Sequence, residues 1–188
     1  AKDQPKPGIQ HIGIAVDSQN RPYVVYVRHT PNPGGIEMVT PDKRGVWAKR
    51  PLRQAISKFW PGMVAFNGRV SMTGDDVICL ILTLVPLEHP KANWNPGIYG
   101  RPAHWAWGEP DIHRLVWLES RDGGRTFITR DLIHHETDRG TMLPTLEQSV
   151  GFHSLPDGGL PALLYFEGLS RYRKPGELIQ NRVFFVQP

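Results

Sequence analysis

Ser120-Arg-Asp-Gly-Gly-Arg-Thr-Phe127 decides how this chain is read. The residues before it, His113 to Glu119 (HRLVWLE), have the composition of a β-strand, rich in Leu, Val and Trp. The residues after it, Phe127 to Ile133 (FITRDLI), read as a second strand. Between them lies a tight polar turn with two glycines. Its chemistry is that of a self-capped hairpin. Asp122 is placed to accept hydrogen bonds from N–H groups of its own turn, Gly123 and Gly124 can take φ > 0, and Ser120 and Thr126 can tie the two arms together. Phe127 then closes the turn over the sheet.

The pattern Ser-x-Asp-x-Gly-x-Thr-aromatic resembles the Asp-box, or bacterial neuraminidase (BNR) repeat. In that family the box is the turn between the third and fourth strands of a β-propeller blade. Every fixed position is met, with Phe127 where Trp is commoner. The resemblance spans eight residues and implies a structural turn, so Asp122 is not read as catalytic.

Working outward, Ile12 to Val16, Asp17-Ser-Gln-Asn-Arg-Pro22 and Tyr23 to Val27 read as strand, turn, strand. Ile36 to Thr40 is a third strand, Pro41-Asp-Lys-Arg-Gly45 a turn, and Val46 to Leu52 alternates like an edge strand. Four antiparallel strands in about forty residues is the size of one propeller blade. Arg53 to Trp60 suits either a short helical turn or a plain blade connection, and the connection is favoured. A second unit begins near Val64. Its stretch Val77 to Val85 (VICLILTLV) is apolar without alternation, which implies a strand buried on both faces. A long insertion, Pro86 to Ile112, then leads into the strand–turn–strand around Ser120. A third unit takes Gln148 to His153, Leu155-Pro-Asp-Gly-Gly159, Pro161 to Glu167, an insertion from Gly168 to Gln180, and Asn181 to Gln187.

The expectation is an all-β chain of three blade-like units, about residues 10–52, 64–133 and 148–188, the last incomplete. Propellers typically close with about four to eight blades. Three units therefore belong to a larger propeller. Either the chain is the C-terminal part of a longer one, a fragment as its abrupt start suggests, or several copies complete it. A β-sandwich is the alternative architecture.

Composition agrees with an all-β fold, with Gly 19, Pro 18, six Trp, five Tyr and seven Phe among 188 residues. No apolar run is long enough to span a membrane. No signal peptide is visible at the start, where residues 1–8 read as a mature or truncated end. With the carbohydrate-active reading, a secreted or periplasmic location is expected. The single cysteine, Cys79, excludes an internal disulfide and lies in an apolar strand as a buried thiol. A net charge of +4 without a Lys/Arg run suits an anionic glycan as well as nucleic acid, but no motif supports nucleic acid and the aromatic content favours sugars, so a glycan partner is expected and neither nucleic acid nor a membrane.

In a propeller the first-to-second and third-to-fourth turns share one face, and the remaining connections share the other. Long loops on a rigid scaffold carry function. The first insertion contains Trp94, Tyr99, Arg101, His104, Trp105 and Trp107 within fourteen residues. Aromatic faces stack on sugar rings, and an arginine fork binds carboxylate or sulfate. Packing of the Trp residues into a small core of their own is an equal alternative. The second insertion adds Arg171, Tyr172 and Arg173. His11 precedes the first strand, and Arg28 and His29 end the second, on the insertion-bearing face. His134-His135-Glu136 invites a metal reading. Adjacent strand residues point to opposite faces, so neither a metal nor any cofactor is expected.

The stretch from His11 to His29 (HIGIAVDSQNRPYVVYVRH) looks like a repeat of the BNR-repeat family that includes ulvan lyases, seven-bladed propellers that cleave uronate-containing polysaccharide by β-elimination. The resemblance covers roughly one blade. In those lyases such histidines, a Tyr and an Arg form the active site. It implies His11 and His29 as catalytic positions, with Tyr99 and Arg101 matching in residue type and face. Arg28, Trp94, His104, Trp105, Trp107, Arg171, Tyr172 and Arg173 would bind substrate. Elimination needs a donor to neutralise the carboxylate, a base for the C5 proton and an acid for the leaving oxygen. Arg101 suits the first role, His11 or His29 the second, and Tyr99 the third. The alternative is a glycan-binding or structural propeller without catalysis. A sialidase-like glycosidase is a further one, although no Arg-Ile-Pro motif lies near the start.

Overall fold

Antiparallel meanders account for most of the described residues of a computed structural model, which are 8–29, 35–87, 113–135, 139–148, 155, 158–168 and 182–188. Of residues 8–11, 29, 142 and 143 it describes the backbone. The first sheet holds β1 (Gly8–Val16), β2 (Pro22–His29), β3 (Gly35–Pro41) and β4 (Trp47–Pro51) in sequential order. A helix, α1 (Arg53–Phe59), leads to the second sheet. That sheet holds β5 (Met63–Met72), β6 (Ile78–Pro86), β7 (Arg114–Ser120) and β8 (Ile128–Arg130), again sequential. The third has β9 (Gly140–Leu146), β10 (Leu163–Gly168) and β11 (Arg182–Val186), with β10 in the middle. The described residues are thus all-β apart from one short helix.

The hairpin turns repeat one device. At Asp17, Asp42 and Thr73 the backbone N–H donates to the carbonyl four residues on, and the N–H three residues on donates back. The third residue after each takes positive φ: Asn20 at 58°, Gly45 at 79° and Asp76 at 61°. The first residue's side chain caps the loop. Asp17 Oδ1 accepts from the N–H of Gln19 and Arg21, Asp42 Oδ1 from Arg44 and Val46, and Thr73 Oγ1 from Val77. This is the three-residue hairpin loop with a left-handed closing residue.

The β7–β8 turn uses its own self-cap. Asp122 Oδ1 accepts from Arg125 N and Thr126 N, both at 2.9 Å, and Oδ2 accepts from Thr126 Oγ1 at 2.7 Å. Ser120 Oγ donates to Asp122 Oδ1 and accepts from Gly124 N, both at 2.8 Å. Gly123 and Gly124 take φ of 67° and 80°, and a Cβ on Gly124 would collide with the Met38 side chain. Phe127 is buried under the turn.

The three sheets stack face on face. Ile12, Tyr23, Val25, Val27, Ile36 and Met38 of the first meet Ile78, Leu80, Leu82 and Leu84 of the second. The second sheet's other face, with Cys79, Ile81, Leu115 and Trp117, meets Leu146, Leu163 and Tyr165 of the third. β6 is therefore covered on both sides, which is why its residues from Ile78 to Val85 are apolar almost without alternation. Hydrogen bonds at the turn end lock the first two sheets together. Ser18 N and Oγ each donate to Asp76 at 2.7 Å, and Arg50 of β4 donates to the Gly123 carbonyl of the β7–β8 turn. Among the described residues the stack is open, and no further sheet closes it.

Three expectations are corrected. Arg53–Phe59 is helical, held by burial of Leu52 and Ile56 against the first core rather than by a side-chain cap. β8 is three residues long, because the chain leaves the sheet at Asp131 and turns Ile133 into the second core. The strand before β10 is Gly140–Leu146, not a stretch starting at Gln148, which is outside any strand, so the third unit begins near residue 140. Pro144 sits where the β9–β10 register shifts, a bulge that tolerates the missing N–H.

Candidate functional site

The chain directions sort the loops into two ends. The turns at 17–21, 42–46, 73–77 and 120–127 gather at one. The strand ends His29, Gly35, Pro86, Arg114, Gly168 and Arg182, with α1 and residues 131–135, lie at the other.

At this connection end a cleft of about 610 Å³ opens between α1 and the second sheet. Phe59 and Trp60 form one wall, with Met63 at the start of β5 below them. Arg114 and Val116 of β7 and His135 of the β8–β9 link form the other. The cleft exists because β8 is short. β8 pairs only with Trp117, Leu118 and Glu119, so the first residues of β7 have no strand on that side. A smaller adjoining hollow of about 280 Å³ runs along Thr129, Arg130 and Asp131. The larger volume lies within the ~300–1,000 Å³ usual for ligand pockets.

The two aromatic rings sit 5.6 Å apart and tilted by 57°, with Lys58 Nζ 5.1 Å from the Phe59 centroid. Arg114 is oriented by backbone carbonyls, donating to His113 O at 3.1 Å and Arg139 O at 3.2 Å. Among the described residues it has no carboxylate partner.

His135 is held through Thr141. The Leu115 N–H donates to Thr141 Oγ1 at 2.8 Å, and the same hydroxyl lies 3.3 Å from His135 Nδ1. Partial burial of the ring lowers the His135 pKa, and the neighbouring Arg114 charge adds to it. The lowered pKa favours the neutral imidazole, although the side chain as a whole stays exposed. A cation for a carboxylate, a neutral base and an aromatic wall thus share one cleft.

Of the sequence-based candidates, His11 and His29 lie in the β1–β2 pair towards this same end, opposite Tyr26 and Gly8 respectively. Arg28 is spoken for. It donates to Glu37 Oε1 at 3.0 Å, while Tyr26 OH and Lys49 Nζ reach Glu37 Oε2 at 2.6 and 3.3 Å. These contacts outweigh the cost of burial and lower the Glu37 pKa. Trp94, Tyr99, Arg101, His104, Trp105, Trp107, Arg171, Tyr172 and Arg173 lie outside the described residues. Trp60, Arg114 and His135 were missed. The His134-His135 pair was the one available signal, and it was weighed only as a metal site. Among the described residues no cluster of three metal-ligating side chains occurs.

Fold and cleft together define a class: a face-stacked, antiparallel all-β protein with an aromatic, basic cleft at its connection end. No family model matches the chain, and no curated protein matches it.

Proposed function

We propose that the three sheets are consecutive blades of a β-propeller whose connection end binds acidic polysaccharide and cleaves it by β-elimination. One observation carries the reading: Arg114, a neutral His135 and the Phe59–Trp60 wall line a single cleft. A sugar ring stacks on the aromatic wall. Arg114 neutralises the uronate carboxylate and so acidifies the C5 proton. His135 takes that proton, the C4–O bond breaks, a C4=C5 double bond forms, and the leaving oxygen takes up a proton. Tyr99 is proposed as its donor. His11, His29 and Arg101 are proposed to extend the same substrate track. A secreted or periplasmic protein would meet such polymers.

The competing reading is a glycan-binding propeller without catalysis. It is favoured by the lack of a tyrosine among the described residues that line the cleft. Ultraviolet absorbance of the unsaturated uronate product separates the two. The elimination reading expects product from a uronate polymer, and a loss of about 10²-fold or more in His135→Ala, with binding retained. Binding without product from any uronate polymer would leave the non-catalytic reading in its place.

A further inference from the structure

The hollow beside the cleft differs from it in chemistry. The two spaces share Phe59, Trp60, Val116 and His135, so they meet at His135. To these the cleft adds Arg114, whereas the hollow adds Thr129, Arg130 and Asp131. Neighbouring rings of one polymer lying past His135 therefore meet two different sets of polar groups.

The hollow presents acceptors and little positive charge. Thr129 Oγ1 donates to the Trp117 carbonyl at 2.9 Å, which leaves its oxygen as an acceptor. Asp131 is exposed where the chain leaves β8, and an ionised carboxylate only accepts. Burial lowers the His135 pKa, and the Asp131 charge works against it, so that charge is felt where the two spaces join. Arg130 is the one Lys or Arg among the described residues that line the hollow. Its Nε donates to Glu119, whose wholly buried carboxylate also accepts from Trp117 Nε1 at 2.9 Å. Glu119 thus offsets Arg130, and Asp131 leaves the hollow with a net negative charge. Sugar hydroxyls bring donors to such a surface. A sulfate or a second carboxylate brings only acceptors and a like charge, which the surface repels.

We propose that the hollow takes an uncharged, hydroxyl-bearing sugar next to the uronate in the cleft, so that the ligand alternates acidic and neutral rings. This rests on the acidic-sugar reading of the cleft. It makes Asp131 a specificity-determining residue, which disfavours a sulfated neighbour and a run of consecutive uronates alike.

Titration calorimetry with chondroitin oligosaccharides tests it, because the unsulfated and sulfated forms share one backbone of alternating glucuronate and N-acetylgalactosamine. Wild type is expected to bind the unsulfated form about fivefold more tightly or better, the factor that corresponds to ~1 kcal/mol between like charges 4 Å apart in water. Asp131→Asn keeps the size of the side chain and removes its charge. Since Asp131 is exposed, the variant is expected to melt as wild type does. It is expected to bind the sulfated form more tightly than wild type does, which narrows the gap. Arg114→Ala is expected to weaken both forms by a similar factor, because it acts on the uronate. Equal wild-type affinity for the two forms, or a preference for the sulfated one, overturns the proposal and leaves the acidic-sugar reading standing. A preference for the unsulfated form that Asp131→Asn leaves intact does the same. Binding of neither form by wild type overturns the proposal together with the reading beneath it.

Discussion

Asp122 illustrates how one carboxylate organises a turn. Burial works to raise its pKa, but hydrogen bonds from Thr126, Ser120 and Arg125 outweigh this and hold it at about 2. A folded pKa below the ordinary 3.8 means that the native turn prefers the charged form. The stabilisation is complete above about pH 4 and is withdrawn as pH falls towards about 2. Asp122→Ala leaves the N–H groups of Arg125 and Thr126 without their acceptor, and should cost about 1–2 kcal/mol in urea unfolding at pH 7. The difference from wild type should shrink on acidification through that window. Glycan affinity should not change, because the turn lies at the far end of the strands from the cleft. A binding loss with unaltered stability would contradict the structural role assigned to Asp122. Cys79 is the opposite case. Wholly buried in β6, its thiol is pushed up to about 12, first by burial and then by Glu119, so it stays protonated and inert in the folded chain.

At the scale of elements, β6 is the keel of the stack. Leu82 is fully buried in the first core, and Leu82→Ala should cost about 2–5 kcal/mol by calorimetry or denaturant unfolding. Ile128 of β8 is 53% exposed, and Ile128→Ala should cost less than about 0.5 kcal/mol. Equal effects at the two positions would be inconsistent with a doubly covered β6. The same burial made β6 legible in the sequence, since a strand packed on both faces has no polar face to show. The hairpins of the first two sheets were legible too, because Asp17, Asp42 and Asp122 announce loops that their own side chains cap. β9 was hidden by Pro144, which argues against a strand unless a bulge absorbs it. Helix α1 was hidden because a seven-residue helix without a side-chain cap owes its existence to the core under Leu52 and Ile56. The cleft was not legible at all. Trp60, Arg114 and His135 come from three separate segments, and only the early end of β8 leaves room for them to meet.

The described residues form three stacked sheets, with the capped turns of the first two at one end and the cleft at the other. In the proposed reading, that polarity separates stability from recognition. The turn end is dense with carboxylate-to-backbone hydrogen bonds that fix the sheets. The connection end offers Lys58, Arg114 and a neutral His135 around an aromatic wall. In the proposed function this second end takes an acidic sugar. Titration calorimetry of a uronate oligosaccharide into wild type, Trp60→Ala, Arg114→Ala and Asp122→Ala reads this out. Binding by wild type is predicted, with affinity lower by tenfold or more in Trp60→Ala and Arg114→Ala, a loss of at least about 1.4 kcal/mol each, and unchanged in Asp122→Ala. Wild-type affinity retained in Arg114→Ala, or no binding by the wild type, would contradict the claim.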